Sequence, residues 1–220
     1  MNRLCIALLA LALAACASDP MAVRDPAYRQ AGRSPGELSA AWWQWAMAAP
    51  PEMNPVEDAT GERCAAGQQG KVWFLAGGFG SARISRQCVI PAARFLFFPI
   101  ITTAYWPARG EILYTCEQAR RNAAVNNDGA RDLFVELDGV ALGDPKRFRA
   151  ATEGCFDILA KADPSSHPYQ AYPSAADGYW VLIAPLAKGR HTLRFGGRYS
   201  APGERGGGTV EDIEYELTVQ

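Results

Sequence analysis

The sequence predicts a mainly β protein, an antiparallel β-sandwich with one or two peripheral α-helices. Three observations predict this fold class. Apolar and aromatic stretches of strand length are separated by glycine-rich turns along much of the chain. Hydrophobic residues make up 49% of the 220 residues, which is typical of a packed globular protein. One amphipathic segment near residue 40 carries so much aromatic surface that a sheet is needed to cover it.

The N-terminal segment has the layout of a secretory signal. A basic residue, Arg3, precedes an apolar run over residues 4–15 that is too short to span a bilayer as a helix. The run closes with Leu13-Ala14-Ala15 before Cys16, and this tetrapeptide resembles the lipobox of bacterial lipoproteins. The resemblance implies that residues 1–15 are a signal peptide and that the Cys16 sulfur carries a lipid anchor. The alternative is an ordinary signal peptide with a chance cysteine.

The remainder of the chain is expected to form a tether, residues 16–33, and a single β-rich domain, residues 34–220. Ala17 follows the anchor, and by resemblance to the enterobacterial sorting rule it favours the outer membrane. We therefore expect a lipid-anchored protein of the bacterial cell envelope, on the outer membrane and facing the periplasm.

Charge and motifs exclude several kinds of partner. The formal net charge is −1 and no basic stripe is present, which argues against a nucleic-acid partner. The glycine run at residues 206–208 lacks the lysine and the following helix that a phosphate-binding loop needs. We expect no cofactor.

The cysteine content predicts two disulfides. Outside the signal and the anchor, four cysteines remain: Cys64, Cys88, Cys116 and Cys155. Four cysteines in an oxidising compartment have three possible connectivities. We favour Cys64–Cys88 and Cys116–Cys155, because the first pair brackets what reads as one hairpin. A zinc site is the alternative, but no Cys-x-x-Cys pair exists and both histidines are distant in sequence, so we expect no metal.

The segment SAAWWQWAMAAPP is predicted to form the first helix. Ser34 and Glu37 have the spacing of a capping box, and the helix is expected to run to about residue 48, before two prolines. Trp42 and Trp45 share the face that helical spacing turns toward a core, whereas Trp43 lies on a neighbouring face. Trp42 and Trp45 are therefore predicted to be core residues, and Trp43 is left open between core and ligand contact.

The rest of the domain reads mostly as strands. Residues 71–76 and 88–90 are interpreted as one hairpin, and residues 95–101 as a central strand that Pro99 ends or bends. Asp138-Gly139 is a two-residue hairpin signal. A second helix is predicted over residues 111–124.

Two resemblances extend this interpretation. The closing part, PLAKGRHTLRF and the alternating strand over residues 209–219, resembles the final hairpin of immunoglobulin-like domains, so the sandwich is expected to be immunoglobulin-like or jelly-roll-like. A further set of elements is similar to a family of secreted bacterial proteins of uncharacterised function. These elements are Trp42-Trp43-x-Trp45, Asn54-Pro55, Thr60-Gly61-Glu62-x-Cys64, Val72-Trp73-Phe74-Leu75-Ala76-Gly77 and Phe97-Phe98-Pro99-Ile100. The family implies no activity.

Histidine-based catalysis has little support. His191 lies in a predicted strand, where a structural cross-strand role is expected, and His167 lies in a proline-flanked loop. Neither Gly-x-Ser-x-Gly nor His-Glu-x-x-His occurs.

Paired carboxylates are the one catalytic alternative. Four acids lie close together in the loop after the first helix: Glu52, Glu57, Asp58 and Glu62. Two carboxyl groups facing each other across a cleft hydrolyse glycosides without histidine. The alternative function is therefore a carboxylate-dependent hydrolase of glycans, although such a cluster is more often a solvated loop.

Binding is the function that the residues favour. Aromatic side chains in or beside loops are candidate contacts for a ligand, and we select Trp43, Trp106, Tyr169 and Tyr172. The sequence thus predicts a non-catalytic binding or structural module, tethered to a membrane through Cys16, with a glycan, peptide or envelope protein as its ligand.

Overall fold

The computed structural model describes residues 32–78, 83–109, 115–165, 169–199 and 209–220, apart from the side chain of Pro51. The predicted signal peptide, the predicted lipidation site Cys16 and the predicted tether as far as residue 31 lie outside the described residues, as does His167. Within the described part of the chain, no helix is long and apolar enough to cross a membrane.

The described residues form two α-helices and nine strands. The helices are α1 (Pro35–Ala46) and α2 (Cys116–Asp128), and single 3₁₀ turns cover Pro51–Met53 and Pro145–Phe148. The strands are β1 (Val72–Phe74), β2 (Arg83–Ile90), β3 (Phe95–Tyr105), β4 (Arg131–Leu137), β5 (Val140–Ala141), β6 (Arg149–Ala151), β7 (Ala175–Ile183), β8 (Gly189–Tyr199) and β9 (Thr209–Val219).

The strands form two sheets, which confirms a β-sandwich with peripheral helices. Sheet one has the order β1-β3-β7-β6, and sheet two has the order β2-β9-β8-β4-β5. Most neighbouring strands are antiparallel, but β1 runs parallel to β3 and β2 runs parallel to β9. Both sheets are therefore mixed.

The hairpin interpreted from residues 71–76 and 88–90 is wrong. β1 belongs to sheet one and β2 to sheet two, so the chain crosses between sheets where a turn was expected. The outer edge of β1 is covered by Gln68, whose side-chain amide donates to the Phe74 carbonyl at 2.7 Å and accepts the Phe74 N–H at 2.9 Å. A short apolar strand beside a glycine turn has the same local sequence pattern whether the chain folds back as a hairpin or crosses to the other sheet.

Two other hairpin predictions are confirmed. Asp138 and Gly139 both have positive φ, at 52° and 77°, and join β4 to β5. β8 and β9 pair antiparallel along their whole length, from Gly189 opposite Val219 to Tyr199 opposite Thr209.

The interior consists of two layers of packed side chains on opposite faces of sheet one. Between the sheets, residues such as Phe98 and Phe195 form one cluster, with ring centroids 4.6 Å apart. On the other face, α1 packs its tryptophans against Phe97 and Trp180, whose rings stack at 5.2 Å. β3 is thus covered on both sides, as its apolar run predicts, and its register shifts between Pro99 and Ile101.

The first helix forms as predicted. The Ser34 hydroxyl accepts the Glu37 N–H, and the Glu37 carboxylate accepts the Ser34 N–H, which completes the capping box. The helix ends at Ala46, two residues before the predicted end, ahead of the prolines.

The second helix ends later than the predicted residue 124, and residues 111–114 of the predicted helix lie outside the described residues. Thr115 caps it through a capping box with Gln118, and it continues to Asp128. Asn127, which lies beyond the predicted end at residue 124, is buried and donates to the Asp177 carbonyl of sheet one at 2.9 Å. This tertiary hydrogen bond keeps the last turn helical against the local preference of asparagine.

Both disulfides are present in the favoured pairing, Cys64–Cys88 and Cys116–Cys155, with Cα–Cα distances of 5.8 and 5.7 Å. The first joins the loop before β1 to β2, so it links the loop to sheet two and does not bracket a hairpin.

Candidate functional site

A cavity of about 440 Å³ lies where α1 and β3 meet the ends of β8 and β9. We call it the tryptophan cavity. Its aromatic walls are Trp42, Trp43, Trp106 and Tyr199, and its aliphatic walls include Val56 and residues 99–101. The carboxyl groups that line it are Glu57 and Glu211.

The tryptophans of α1 are held in fixed positions. The indole N–H of Trp42 donates to the Leu75 carbonyl at 2.9 Å, and that of Trp43 donates to the Thr102 hydroxyl at 3.3 Å. The Trp42 and Trp43 rings meet edge to face at 5.3 Å, and both residues are at most 5% exposed. The cavity wall that they form is therefore rigid.

Trp45 is a core residue. It is 5% exposed, and its indole N–H donates to the Ala66 carbonyl at 2.8 Å. Its ring lies 5.6 Å from Phe74, and it does not line the tryptophan cavity. Trp42 and Trp45 are thus buried as predicted, and Trp43 is both a core residue and a wall of the cavity.

The structure brings together two of the four aromatic residues predicted as ligand contacts. Trp106 is half-buried, lies 6.4 Å from the Trp43 ring and forms another wall of the cavity. Tyr169 is half-buried against the core around α1, and Tyr172 is 55% exposed; neither lines the cavity.

The predicted acidic cluster does not converge on one cleft. Glu57 lines the cavity, whereas Glu52 and Glu62 are exposed and lie outside its lining. Asp58 is buried and accepts the Thr60 and Arg63 N–H groups at 2.8 Å each. Burial alone raises the pKa of Asp58, but these hydrogen bonds outweigh it and lower that pKa. Asp58 therefore stabilises the loop over residues 58–63.

Glu211 is a site residue that the sequence analysis missed. Its Oε2 accepts the Gly78 N–H at 3.1 Å. Burial raises the pKa of Glu211 to about 8, against the opposing effects of the Gly78 hydrogen bond and the Arg86 charge. The carboxyl group therefore keeps its proton at neutral pH. Its position in the sequence could have identified it, because Glu211 lies on the same face of β9 as Ile213, Tyr215 and the other inward residues.

A close backbone approach brings Gly78 to this carboxyl group. A Cβ at Gly78 would lie 2.7 Å from Ile84 Cδ1 and 3.3 Å from Glu211 Oε2. A larger residue would therefore push against both side chains.

Arg86 is the second residue that the sequence analysis missed, and it shapes one wall of the cavity. It is 1% exposed and donates to the carbonyls of Val56, Asp58, Ala76 and Gly77 at 2.6–3.0 Å. Val56 and Gly77 line the cavity, so one guanidinium group fixes both segments relative to β2.

His191 has the cross-strand position that was predicted. Its Nδ1 lies 2.8 Å from an Asp138 carboxylate oxygen and its Nε2 lies 3.0 Å from the Ala187 carbonyl. Burial lowers the pKa of His191, but these two acceptors outweigh it and raise that pKa. In the described segments, no group of three or more His, Cys, Asp and Glu side chains is placed to hold a metal ion.

The fold and the cavity define a β-sandwich with a partly open, aromatic-walled site of ligand size. No protein-family model matches the chain. No curated protein matches it.

Among solved structures, the chain is similar to EhICP2, a cysteine protease inhibitor from Entamoeba histolytica, with 15% sequence identity and a TM-score of 0.23. The alignment covers 62% of this chain and 86% of that chain. It is also similar to PbICP-C, solved in complex with falcipain-2, with 10% sequence identity and a TM-score of 0.29. The alignment covers 69% of this chain and 100% of that chain. Similarity at this level carries no argument about function.

Proposed function

We propose that this protein is a lipid-anchored module of the bacterial cell envelope that binds a small ring-bearing molecule in the tryptophan cavity and does not transform it. The observation that carries the binding function is the cavity of about 440 Å³ with walls of Trp43, Trp106 and Tyr199. Sites for small molecules are typically about 300–1,000 Å³, mostly apolar, with a few polar groups that orient the ligand.

The cavity is suited to binding because hydrogen bonds within the protein hold its walls in place. Trp42 and Trp43 are anchored by their indole N–H groups, and Arg86 fixes Val56 and Gly77. A preformed site avoids most of the entropy that is lost when side chains become ordered on binding. Aromatic rings in such a wall stack on the flat face of a ligand ring.

Support for the lipid anchor comes from Leu13-Ala14-Ala15-Cys16, which lies outside the described residues. Two or more acyl chains are needed for stable anchoring, as in a lipid-modified N-terminal cysteine. Labelled palmitate should be incorporated by the wild-type protein and not by Cys16→Ser. Absence of label in the wild type would contradict the anchor.

Binding is tested with N-phenyl-1-naphthylamine, an uncharged ring compound whose fluorescence rises in an apolar site. Trp106→Ala should weaken its binding roughly tenfold, because the variant removes one wall of the cavity. Ala104→Phe should weaken it further by filling the space.

Tyr172→Ala is the matched control, because it removes a 55% exposed aromatic residue that does not line the cavity. Its affinity should equal that of the wild type. Equal affinities for all variants, or no fluorescence rise with the wild type, would contradict binding in the cavity.

Glycan hydrolysis is a second candidate, favoured by one observation. Glu57 and Glu211 line the same aromatic-walled cavity, and the raised pKa of Glu211, about 8, keeps on it the proton that a general acid needs. Release of 4-nitrophenol from aryl glycosides, lost in both Glu57→Gln and Glu211→Gln, would support this function. No release by the wild type across a panel of sugars would leave binding as the function.

A further inference from the structure

The polar groups of the tryptophan cavity are unequally available to a ligand. Asn54 uses its amide to donate to the Ala46 carbonyl and its oxygen to accept the Val56 N–H. Thr102 accepts from Trp43 and donates to the Asp177 carbonyl, and Thr103 accepts from Asn127. These side chains already have hydrogen bonds inside the protein.

Glu211 keeps one oxygen available. Its Oε2 accepts the Gly78 N–H, and its Oε1 has no hydrogen-bond partner among the described residues. A carboxyl oxygen that accepts an amide N–H is the carbonyl-type oxygen, so in the neutral carboxyl group the proton resides on Oε1. Burial keeps the group neutral by raising the pKa of Glu211 to about 8. A residue of the cavity lining thus has an O–H donor.

The charged groups around Glu211 are already engaged inside the protein. No lysine or arginine lines the cavity in the described part of the chain, whereas Glu57 does. Arg86, on β2, points its donors at backbone carbonyls. On β8 and β4, Arg198 and Asp132 pair with each other, and Asp212, next to Glu211 on β9, pairs with Arg194. The Arg86 charge does act on Glu211, but its N–H donors already bind groups of the protein, so an anion in the cavity would be desolvated without a hydrogen bond from this guanidinium group.

We propose that the cavity selects an uncharged, ring-bearing ligand with a hydrogen-bond acceptor such as a carbonyl oxygen, that the Glu211 carboxyl group donates to this acceptor, and that anionic ligands are rejected. This specificity rests on the binding function proposed above. The aromatic walls bind the ring, and the Glu211 carboxyl group donates to an acceptor that the ring carries.

The probes for this proposal are 2-acetylnaphthalene and 2-naphthoate, which share one ring system and differ in charge. With the full chain at pH 6, we expect calorimetric titration to give at least tenfold tighter binding of 2-acetylnaphthalene. Raising the pH to 9.5 removes the Glu211 proton and should weaken its binding about tenfold. Glu211→Gln keeps a donor at all pH values, so its binding of 2-acetylnaphthalene should not change with pH.

Glu216→Gln is the matched control, because Glu216 is an exposed glutamate on the same strand. It should keep the pH dependence of the wild type. The proposal is overturned if 2-naphthoate binds as tightly as 2-acetylnaphthalene. It is also overturned if wild-type affinity is constant from pH 6 to 9.5, or if Glu211→Gln loses affinity with pH as the wild type does. If N-phenyl-1-naphthylamine binds and 2-acetylnaphthalene does not, the specificity alone fails; if neither binds, the binding function fails with it.

Discussion

Arg86 and Tyr215 lie opposite each other on the parallel pair β2 and β9, inside the sandwich. The guanidinium carbon is 5.6 Å from the centroid of the Tyr215 ring, and Nη1 donates to the Tyr215 hydroxyl at 3.2 Å. That hydroxyl also accepts the Ala76 N–H and donates to the Ala76 carbonyl. The pair therefore joins sheet two to the end of β1 and to the loop that borders the cavity.

Arg86→Met should destabilise the protein by at least about 3 kcal/mol, because it leaves several buried carbonyls without a donor. Arg83→Met is the matched control on the same strand, since its side chain is 55% exposed and pairs with Glu214 on the surface. It should cost about 1 kcal/mol or less. Urea denaturation measures both, and equal free energies of unfolding would show that the buried network is unimportant.

Substitutions of Trp45 on α1 and of Trp106 after β3 should have different effects, the first on stability and the second on ligand binding. Trp45→Ala removes a buried ring and its hydrogen bond to Ala66, so we expect a loss of about 3–5 kcal/mol. Trp106→Ala, at a half-buried position in the cavity wall, should leave the melting temperature nearly unchanged and weaken probe binding. Thermal unfolding and probe titration of both variants test this. A stable Trp45→Ala protein that no longer binds the probe would reverse these roles.

Glu211 should make the protein less stable as pH rises. Its pKa is about 8 in the folded protein against 4.5 as the ordinary value, so between these values the folded state holds a proton that the unfolded state has released. The contribution of Glu211 to folding is therefore most favourable below about pH 4.5 and is lost as the pH rises to about 8, by about 1.4 kcal/mol for each unit of pKa difference.

Glu211→Gln should remove this slope and be the more stable protein above pH 8. Chemical denaturation from pH 5 to 9 measures the difference between the two proteins, and Glu216→Gln serves as the exposed control on the same strand. Parallel stability curves for wild type and Glu211→Gln would mean that Glu211 is ionised in the folded state.

The sequence pattern predicts those parts of the structure whose conformation depends only on a few neighbouring residues. The capping box of Ser34 and Glu37 and the Asp138-Gly139 turn depend on a few neighbouring residues, and both form as predicted. The alternation of β9 also identifies its buried residues, because one face of the sheet is covered. The separation of β1 and β2 into different sheets depends on pairing with distant strands, which the local pattern does not encode.

The site is less predictable for the same reason. Trp43 and Trp106 are recognisable as candidate contacts because both are aromatic; Trp43 lies on the helix face next to the predicted core face, and Trp106 lies beside a loop. Glu211 and Arg86 lie on the inward faces of their strands, but the cavity and the carbonyl groups that give them roles come from several distant parts of the chain. The spacing of residues along one strand predicts which face of the sheet a side chain occupies, but it does not predict which distant groups that side chain contacts.

The most direct measurement of ligand binding in the tryptophan cavity is the set of indole N–H resonances in a two-dimensional ¹⁵N NMR spectrum, assigned with single Trp→Phe variants. Trp42, Trp43 and Trp106 line the cavity, whereas Trp45, Trp73 and Trp180 do not. Titration with N-phenyl-1-naphthylamine should shift the first three resonances in a saturable way and leave the other three in place. Shifts confined to Trp45, Trp73 or Trp180, or no saturable shift at all, would contradict the cavity as the binding site.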